Sequence, residues 1–346
     1  MIAAWYDTFK GPITLKVLPD PEPGPDDVII KVMATGICRS DWHGWQGHDN
    51  DIRLPHVPGH ELAGIIALTG KNIRNWKIGD RVTVPFCLGC GACSSCGKGQ
   101  QQICDNYYQP GFTGWGSFAT YVRIPFAATN LVQLPDNIPF TTAALLGCRY
   151  ITAWRGLYHQ AALQPGETIA VYGCGGVGLA AIQIAVALGA KPIAVDIDDQ
   201  KLSLAKKLGA TATFNARSTG SVAENIKLLT NGGTDASVDA LGSRETCRNA
   251  LLSLRKQGRH IQLGLLAGSE KDPPLPLSEV IARELQLIGS HGMQAHEYPA
   301  LLKFIEEGRL TPELLLGKKL SLEEGVAELM QLGHFPTTGV SVIEFS

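Results

Sequence analysis

No run of 18 consecutive apolar residues occurs in this chain, which excludes a membrane-spanning helix. A strand-like run, Met1–Tyr6, opens it without a charged segment followed by an apolar one, so no secretory leader is expected. Basic runs are missing too, and the formal net charge is only -2, which argues against a nucleic-acid partner. Internal repeats and low-complexity segments are absent, so solenoids and disordered tails drop out. What remains is 346 residues, 45% of them hydrophobic. At roughly 100–200 residues per domain, that predicts two domains sharing one cleft.

Of nine cysteines, five fall between Cys87 and Cys104. Such crowding suits metal better than scattered disulfides, and a cytoplasmic location is expected. Cys90, Cys93, Cys96 and Cys104 have the spacing C-x2-C-x2-C-x7-C, with Gly91, Gly97 and Gly99 to let the backbone wrap a small ion. Four thiolates make a closed tetrahedral site, the pattern of a structural zinc. A reduced thiol cluster, a disulfide lobe or an iron–sulfur cluster are the other readings. Cys87 lies outside the spacing.

The texture of the chain changes near residue 151. Before it, short apolar runs (Val28–Ala34, Ala63–Leu68, Arg81–Pro85) are separated by Gly and Pro, as in a β-rich domain. After it, strand-like Thr168–Tyr172, Pro192–Val195, Ala236–Asp239, His260–Leu263 and Leu287–Ile288 are interspersed with helical patterns, among them Val177–Leu188 and Asp198–Leu208. That rhythm predicts βαβ units on a doubly wound parallel sheet over 151–288. Two amphipathic helices, Ala295–Glu307 and Leu322–Leu332, and a strand, Gly339–Phe345, are expected to rejoin the first domain. The catalytic domain is thus expected over 1–150 and 289–346.

Gly173-Cys174-Gly175-Gly176-Val177-Gly178 stands between a strand and a helix, the context that a dinucleotide-binding G-x-G-x-x-G requires. Gly173 would permit the tight turn, Gly175 the approach of a pyrophosphate, and Gly178 the packing of helix on strand. Asp196 follows about 20 residues after the loop, where a carboxylate accepts ribose hydroxyls and repels a 2′-phosphate. NAD is therefore the expected cofactor. Cys174 is expected to point away from the phosphates.

Cys38, His60 with Glu61, and Cys148 lie in three separate segments. Taken singly, a cysteine is a small hydrophobe and a His-Glu pair a polar contact. Together they offer two thiolates, one imidazole and one carboxylate, a set that fits a zinc with an open position.

At this point the chain resembles a medium-chain, zinc-containing alcohol dehydrogenase, of the tetrameric yeast-like and bacterial type. The motifs that carry the likeness are C-R-S-D-x-H from Cys38, G-H-E at Gly59, the four-cysteine lobe, and Gly147-Cys148 ahead of the glycine loop. The two-cysteine, one-histidine set is the known ligand set of alcohol dehydrogenases. The resemblance implies an α/β protein, with a GroES-like catalytic domain and a Rossmann domain. It implies a catalytic zinc on Cys38, His60 and Cys148, Glu61 as a ligand that can swap in, and Asp41 orienting His60. It adds Arg39, Thr152, Gly176, Val177 and Lys201 to the cofactor residues. Many family members carry a pyrophosphate-binding arginine near the C-terminus, and residues 335–346 hold none. A proton path through Ser40 to His43, with an imidazole titrating near neutrality, is implied as well. Trp45, Phe86, Trp115 and Phe118 are expected to line the substrate pocket, and a homotetramer is expected. The activity implied is reversible oxidation of alcohols to aldehydes or ketones with NAD. Polyol dehydrogenases are similar but tend to use a carboxylate where Cys148 stands. An aldehyde reductase is another reading on the same scaffold. Zinc-free quinone reductases and crystallin-like relatives would not need the Cys38–His60–Cys148 set.

Overall fold

The strand Val28–Gly36 is the hub of the first sheet. In this computed structural model, which describes residues 1–266, 270–334 and 338–345, it pairs antiparallel with Glu61–Thr69, Tyr121–Ile124 and Val340–Glu344. Its β-branched run explains the role. Val28, Ile30 and Val32 point to one face, where they pack with Leu62, Ile66, Val82 and Val84. A second apolar cluster joins Ala4, Tyr6 and Ile37 to Val326, Leu329 and Ile343. Six of the sheet's seven strands follow one path, from Leu316–Leu320 to Val132–Gln133, and the seventh, Tyr121–Ile124, pairs with the hub strand off that path.

The register of this sheet positions chemistry. Gly36 lies opposite Glu61 and Thr35 opposite Leu62. The end of one strand therefore delivers Cys38 beside the start of the other, which carries His60 and Glu61. A short helix, Arg39–Trp45, begins directly after Cys38. Cys148 comes from a π-helical turn, Leu146–Tyr150, a rare geometry often found at functional sites.

Contacts divide the chain into two units. The first holds Met1–Ile151, Gly292–Glu306 and Leu316–Ser346; the second holds Thr152–His291 and Glu307–Leu315. The second unit is built on six parallel strands in the spatial order Ala212–Asn215, Lys191–Asp196, Thr168–Tyr172, Thr234–Asp239, Leu254–Gln262, Gln286–Gly289. In sequence order that is 3-2-1-4-5-6, the doubly wound arrangement of dinucleotide-binding folds. The helix Gly176–Ala187 is buried from Gly178 to Ala185, which is why its sequence is almost wholly apolar. No helix among the described residues is long and apolar enough to cross a membrane.

Candidate active site and metal centres

Asp41 organises the first cluster. Its carboxylate accepts hydrogen bonds from the Gly59 amide (2.9 Å), the Cys38 amide (3.3 Å) and His60 Nδ1 (2.8 Å). One buried side chain thus ties three positions of two loops together. Gly59 is needed at its place: its φ is +107°, and a Cβ there would come within 2.6 Å of the Phe118 amide nitrogen.

With Nδ1 committed to Asp41, His60 has Nε2 as its free ring nitrogen. That atom is buried and has no hydrogen-bond partner among the described residues. One donor atom each from Cys38, His60, Glu61 and Cys148 lies within 4.8 Å of the others. A buried lone pair aimed among two thiols is costly unless something fills the gap, and a tetrahedral cation does so. The residues therefore fit a zinc ion, with Asp41 as the outer partner that sets the imidazole tautomer.

Of the four groups, only Cys38 is shifted toward the deprotonated form that a metal takes. A hydrogen bond from Cys148 holds the Cys38 thiol well below its ordinary range, despite burial, and the Arg149 and His60 charges help. Cys148 is pushed up by the same bond and by burial. Burial pulls the His60 imidazole down, but the neighbouring charges of Asp41 and Cys38 carry it well above its usual value. Burial raises Glu61, while the Arg149 guanidinium opposes that rise.

Arg149 had no place in the reading of the sequence. Its guanidinium donates to the Glu61 carboxylate and to the Ile37 carbonyl, and both side chains are buried. Phe112 was also missed; its ring meets His60 edge-on at 5.5 Å, closer than Phe86 at 6.2 Å. Tyr298 feels the charges of Cys87, Cys148 and Glu61, and burial drives its hydroxyl well above the usual range.

The other expected pocket aromatics divide. Trp45 and Phe118 belong to the apolar core with Ala4, Tyr6 and Ile37, and Trp45 Nε1 donates to the Gly11 carbonyl at 2.8 Å. Trp115 is exposed and meets Trp5 edge-on at 5.5 Å. Core packing involves the first two, and a surface contact the third.

Ser40 and His43 lie on the short helix after Cys38. His43 Nδ1 is 3.0 Å from His48 Nδ1, and both rings meet Trp42 edge-on. The expectation of a near-neutral imidazole is corrected. Burial, the Arg39 cation and His48 hold His43 down at about 4, against a smaller pull from Cys38.

The four-cysteine lobe is assembled around the short helix Ser94–Gly97. None of its cysteines is in a disulfide. Cys93 and Cys104 place their sulfurs 3.6 Å apart, near the ~3.8 Å that two thiolates take on one tetrahedral zinc. The Cys90 and Asn106 amides donate to Cys104, and the Cys96 amide to Cys93. Backbone N–H donors at Ala92 and Cys93 bring the Cys90 thiol down to about 6. All four donors lie within 4.8 Å of one another, so this set fits zinc too.

In the second unit, Gly173 takes φ +91°, and a Cβ on Gly178 would collide with its carbonyl. A Cβ on Gly175 would meet nothing within 4 Å, leaving open space ahead of the helix amides. That opening fits a pyrophosphate. Asp196 accepts hydrogen bonds from the amides of Cys174 (2.7 Å), Ile197 (2.8 Å) and Asp198 (3.0 Å), which fix it beside the loop. The Cys174 thiol is buried and contacts the Val195 carbonyl. Lys201 lies close enough to lower that thiol against the effect of burial. Thr152 is buried, and Arg39 is partly so, with its guanidinium 6.0 Å from the Trp42 ring.

Two family models match: an alcohol dehydrogenase GroES-like domain over 24–136 and a zinc-binding dehydrogenase over 176–307. The chain is 33% identical over 342 residues to an NAD-dependent alcohol dehydrogenase of Sulfurisphaera tokodaii, covering 96% of each chain. It is 35% identical over 321 residues to a sorbitol dehydrogenase of Bacillus subtilis, covering 90% of this chain and 88% of the relative. Among solved structures, an NAD-dependent alcohol dehydrogenase superposes with a TM-score of 0.90 at 30% identity, over the full length of both chains.

Proposed function

Because the chain belongs to the zinc-containing, medium-chain alcohol dehydrogenase family, we propose that Cys38, His60 and Cys148 hold the reactive zinc and Cys90, Cys93, Cys96 and Cys104 a structural one. The protein oxidises alcohols reversibly to aldehydes or ketones with NAD. The observation that carries the site assignment is the buried, unpartnered Nε2 of His60 among two thiols, with Asp41 on the opposite nitrogen.

When bound, zinc supplies Lewis-acid polarisation of the substrate oxygen, and NAD accepts the hydride. The chain's own residues do the rest. Asp41 holds the His60 ring in one tautomer and orientation. Ser40 relays the substrate's hydroxyl proton, accepting it as it releases its own toward His43, which passes a proton outward through His48 to water. Phe86 and Phe112 flank His60 and keep water away from it. The amides after Gly175, with Gly176 and Val177, receive the pyrophosphate, while Thr152 packs near the cofactor. Asp196 binds the adenosine ribose, with Lys201 nearby, and its charge excludes a 2′-phosphate.

The likeness to a sorbitol dehydrogenase supports a second reading, a polyol or other secondary alcohol as substrate. Cys148 in place of a carboxylate favours simple alcohols. A homotetramer in the cytoplasm, with thiols kept reduced, completes the proposal. Metal analysis and a substrate panel test it. Two zinc ions per chain and faster NAD reduction with simple alcohols than with sorbitol are expected; one zinc per chain overturns the site assignment. Asp196→Ser should weaken NAD and improve NADP, and an unchanged ratio of their specificity constants removes Asp196 from the ribose.

A further inference from the structure

Glu61 has two possible partners. One carboxylate oxygen accepts from Arg149 Nη1; the other, Oε1, is buried with no hydrogen-bond partner among the described residues. A carboxylate oxygen of Glu61 also lies within 4.8 Å of the donor atoms of Cys38, His60 and Cys148. The same group is thus within reach of a guanidinium and of a metal position.

Arg149 is built in rather than loosely placed. It follows Cys148 on the π-helical turn, and Nη2 donates to the Ile37 carbonyl, one residue before Cys38. Its side chain is 7% exposed and that of Glu61 0%. Gly36 faces Glu61 in the strand register, and a Cβ there would collide with the Glu61 carboxylate and stand 3.1 Å from Arg149 Nη1. The absence of a side chain at Gly36 is what makes room for the pair.

Resting on the metal assignment above, we infer that Arg149 is a positioning residue that holds Glu61 off the metal, keeping the fourth coordination position open for substrate. Charge counting supports this. Two thiolates balance a divalent cation, and Glu61 balances Arg149, so each set is neutral. Transfer of Glu61 to the metal would leave one set negative and strand a buried guanidinium, an unfavourable arrangement in a low-dielectric interior. Without the arginine, the metal becomes the carboxylate's best partner.

The test uses the full chain with cobalt in place of zinc, read by visible ligand-field absorption and by the rate of cobalt loss to a chelator. Glu61→Gln should leave the spectrum as in the parent, because Glu61 is not a resting ligand. Arg149→Met should change the band and slow cobalt loss on the order of 10-fold or more, the scale on which neighbours tune a metal site. Glu61→Gln added to Arg149→Met should restore the parent spectrum, and Arg149→Lys, which keeps the charge, should stay close to it. A parent-like spectrum in Arg149→Met, a shift that survives in the double variant, or a ligand-loss spectrum in Glu61→Gln alone overturns the inference. If Arg149→Met does not fold, Glu61→Gln and Arg149→Lys decide: both parent-like supports it, either one altered overturns it. A parent that takes up cobalt only in the four-cysteine lobe overturns the metal assignment itself.

Discussion

The two metal centres proposed for this chain are built in opposite ways. The lobe draws its four donors from Cys90 to Cys104, one local segment turned by glycines. The reactive centre collects Cys38, His60, Glu61 and Cys148 from three distant segments, brought together by strand register and a π-helical turn. Around the lobe, backbone amides do the stabilising. Around the reactive centre, charged side chains do it: Asp41 and Arg149. A local, closed set is a fastener. A dispersed set with a carboxylate in reserve is a place where ligands can be exchanged, and its neighbours must be tuned accordingly.

The sharpest test of that contrast is one ligand lost from each centre. Cys148→Ala should reduce alcohol oxidation to background, while the protein stays folded with one zinc per chain by metal analysis. Near-normal turnover would show that the third ligand is misassigned. Cys96→Ala should do the reverse, lowering the unfolding temperature and the lobe's zinc content while the folded fraction still turns over. Equal effects on stability in both variants would erase the distinction.

A smaller effect is expected one layer out. Asp41→Asn keeps the shape but weakens the hold on His60, and should cost about 10–100-fold in metal affinity or activity. The lobe's zinc should be untouched, as seen by chelator titration in two phases.

The proton path comes next. His43→Ala should slow NAD reduction most near neutral pH, by at most about 10²-fold, since water substitutes for an outer relay member. Imidazole buffer should recover part of the loss. Absence of any buffer response would take His43 out of the path.

The smallest effect concerns stability against pH. The unfolded His43 imidazole titrates near 6.5, and the folded one near 4. Between those values the unfolded state binds more protons, so this group's contribution to stability is lost as pH falls through that window. His43→Asn should flatten the slope between pH 6.5 and 4 in denaturant titrations, and His56 and His260, also held down by burial, should contribute slope of the same sign.

Much of this was legible in the sequence. Thr168–Tyr172 was bounded as it occurs, because a buried central strand reads as a continuous apolar run. The lobe was legible because its ligands are neighbours in sequence. Ala212–Asn215 was not, since that edge strand is only partly buried and carries little pattern. Nor were Val222–Leu229 and Arg244–Leu252, short helices whose single buried stripe offers few repeats to detect. Arg149 reads in sequence like any polar residue beside a motif; only the register that sets Gly36 against Glu61 reveals its use. The sequence could not show that Trp45 and Phe118 pack with Ala4, Tyr6 and Ile37, because an aromatic near a ligand looks the same whether it faces a pocket or the core.

The sheet that carries Cys38 is completed by Val340–Glu344, which pairs with Ala34, Thr35 and Gly36. A ribosome makes that last strand some 190 residues after the first unit's opening segment ends, on the order of 10–40 seconds at ordinary elongation rates. Through that interval the edge of the hub strand next to Cys38 lacks its final partner, and the doubly wound sheet gains its sixth strand, Gln286–Gly289, before that partner is made. The nascent chain therefore carries its two thiols at Cys38 and Cys148 beside an unfinished edge until Val340–Glu344 has been made.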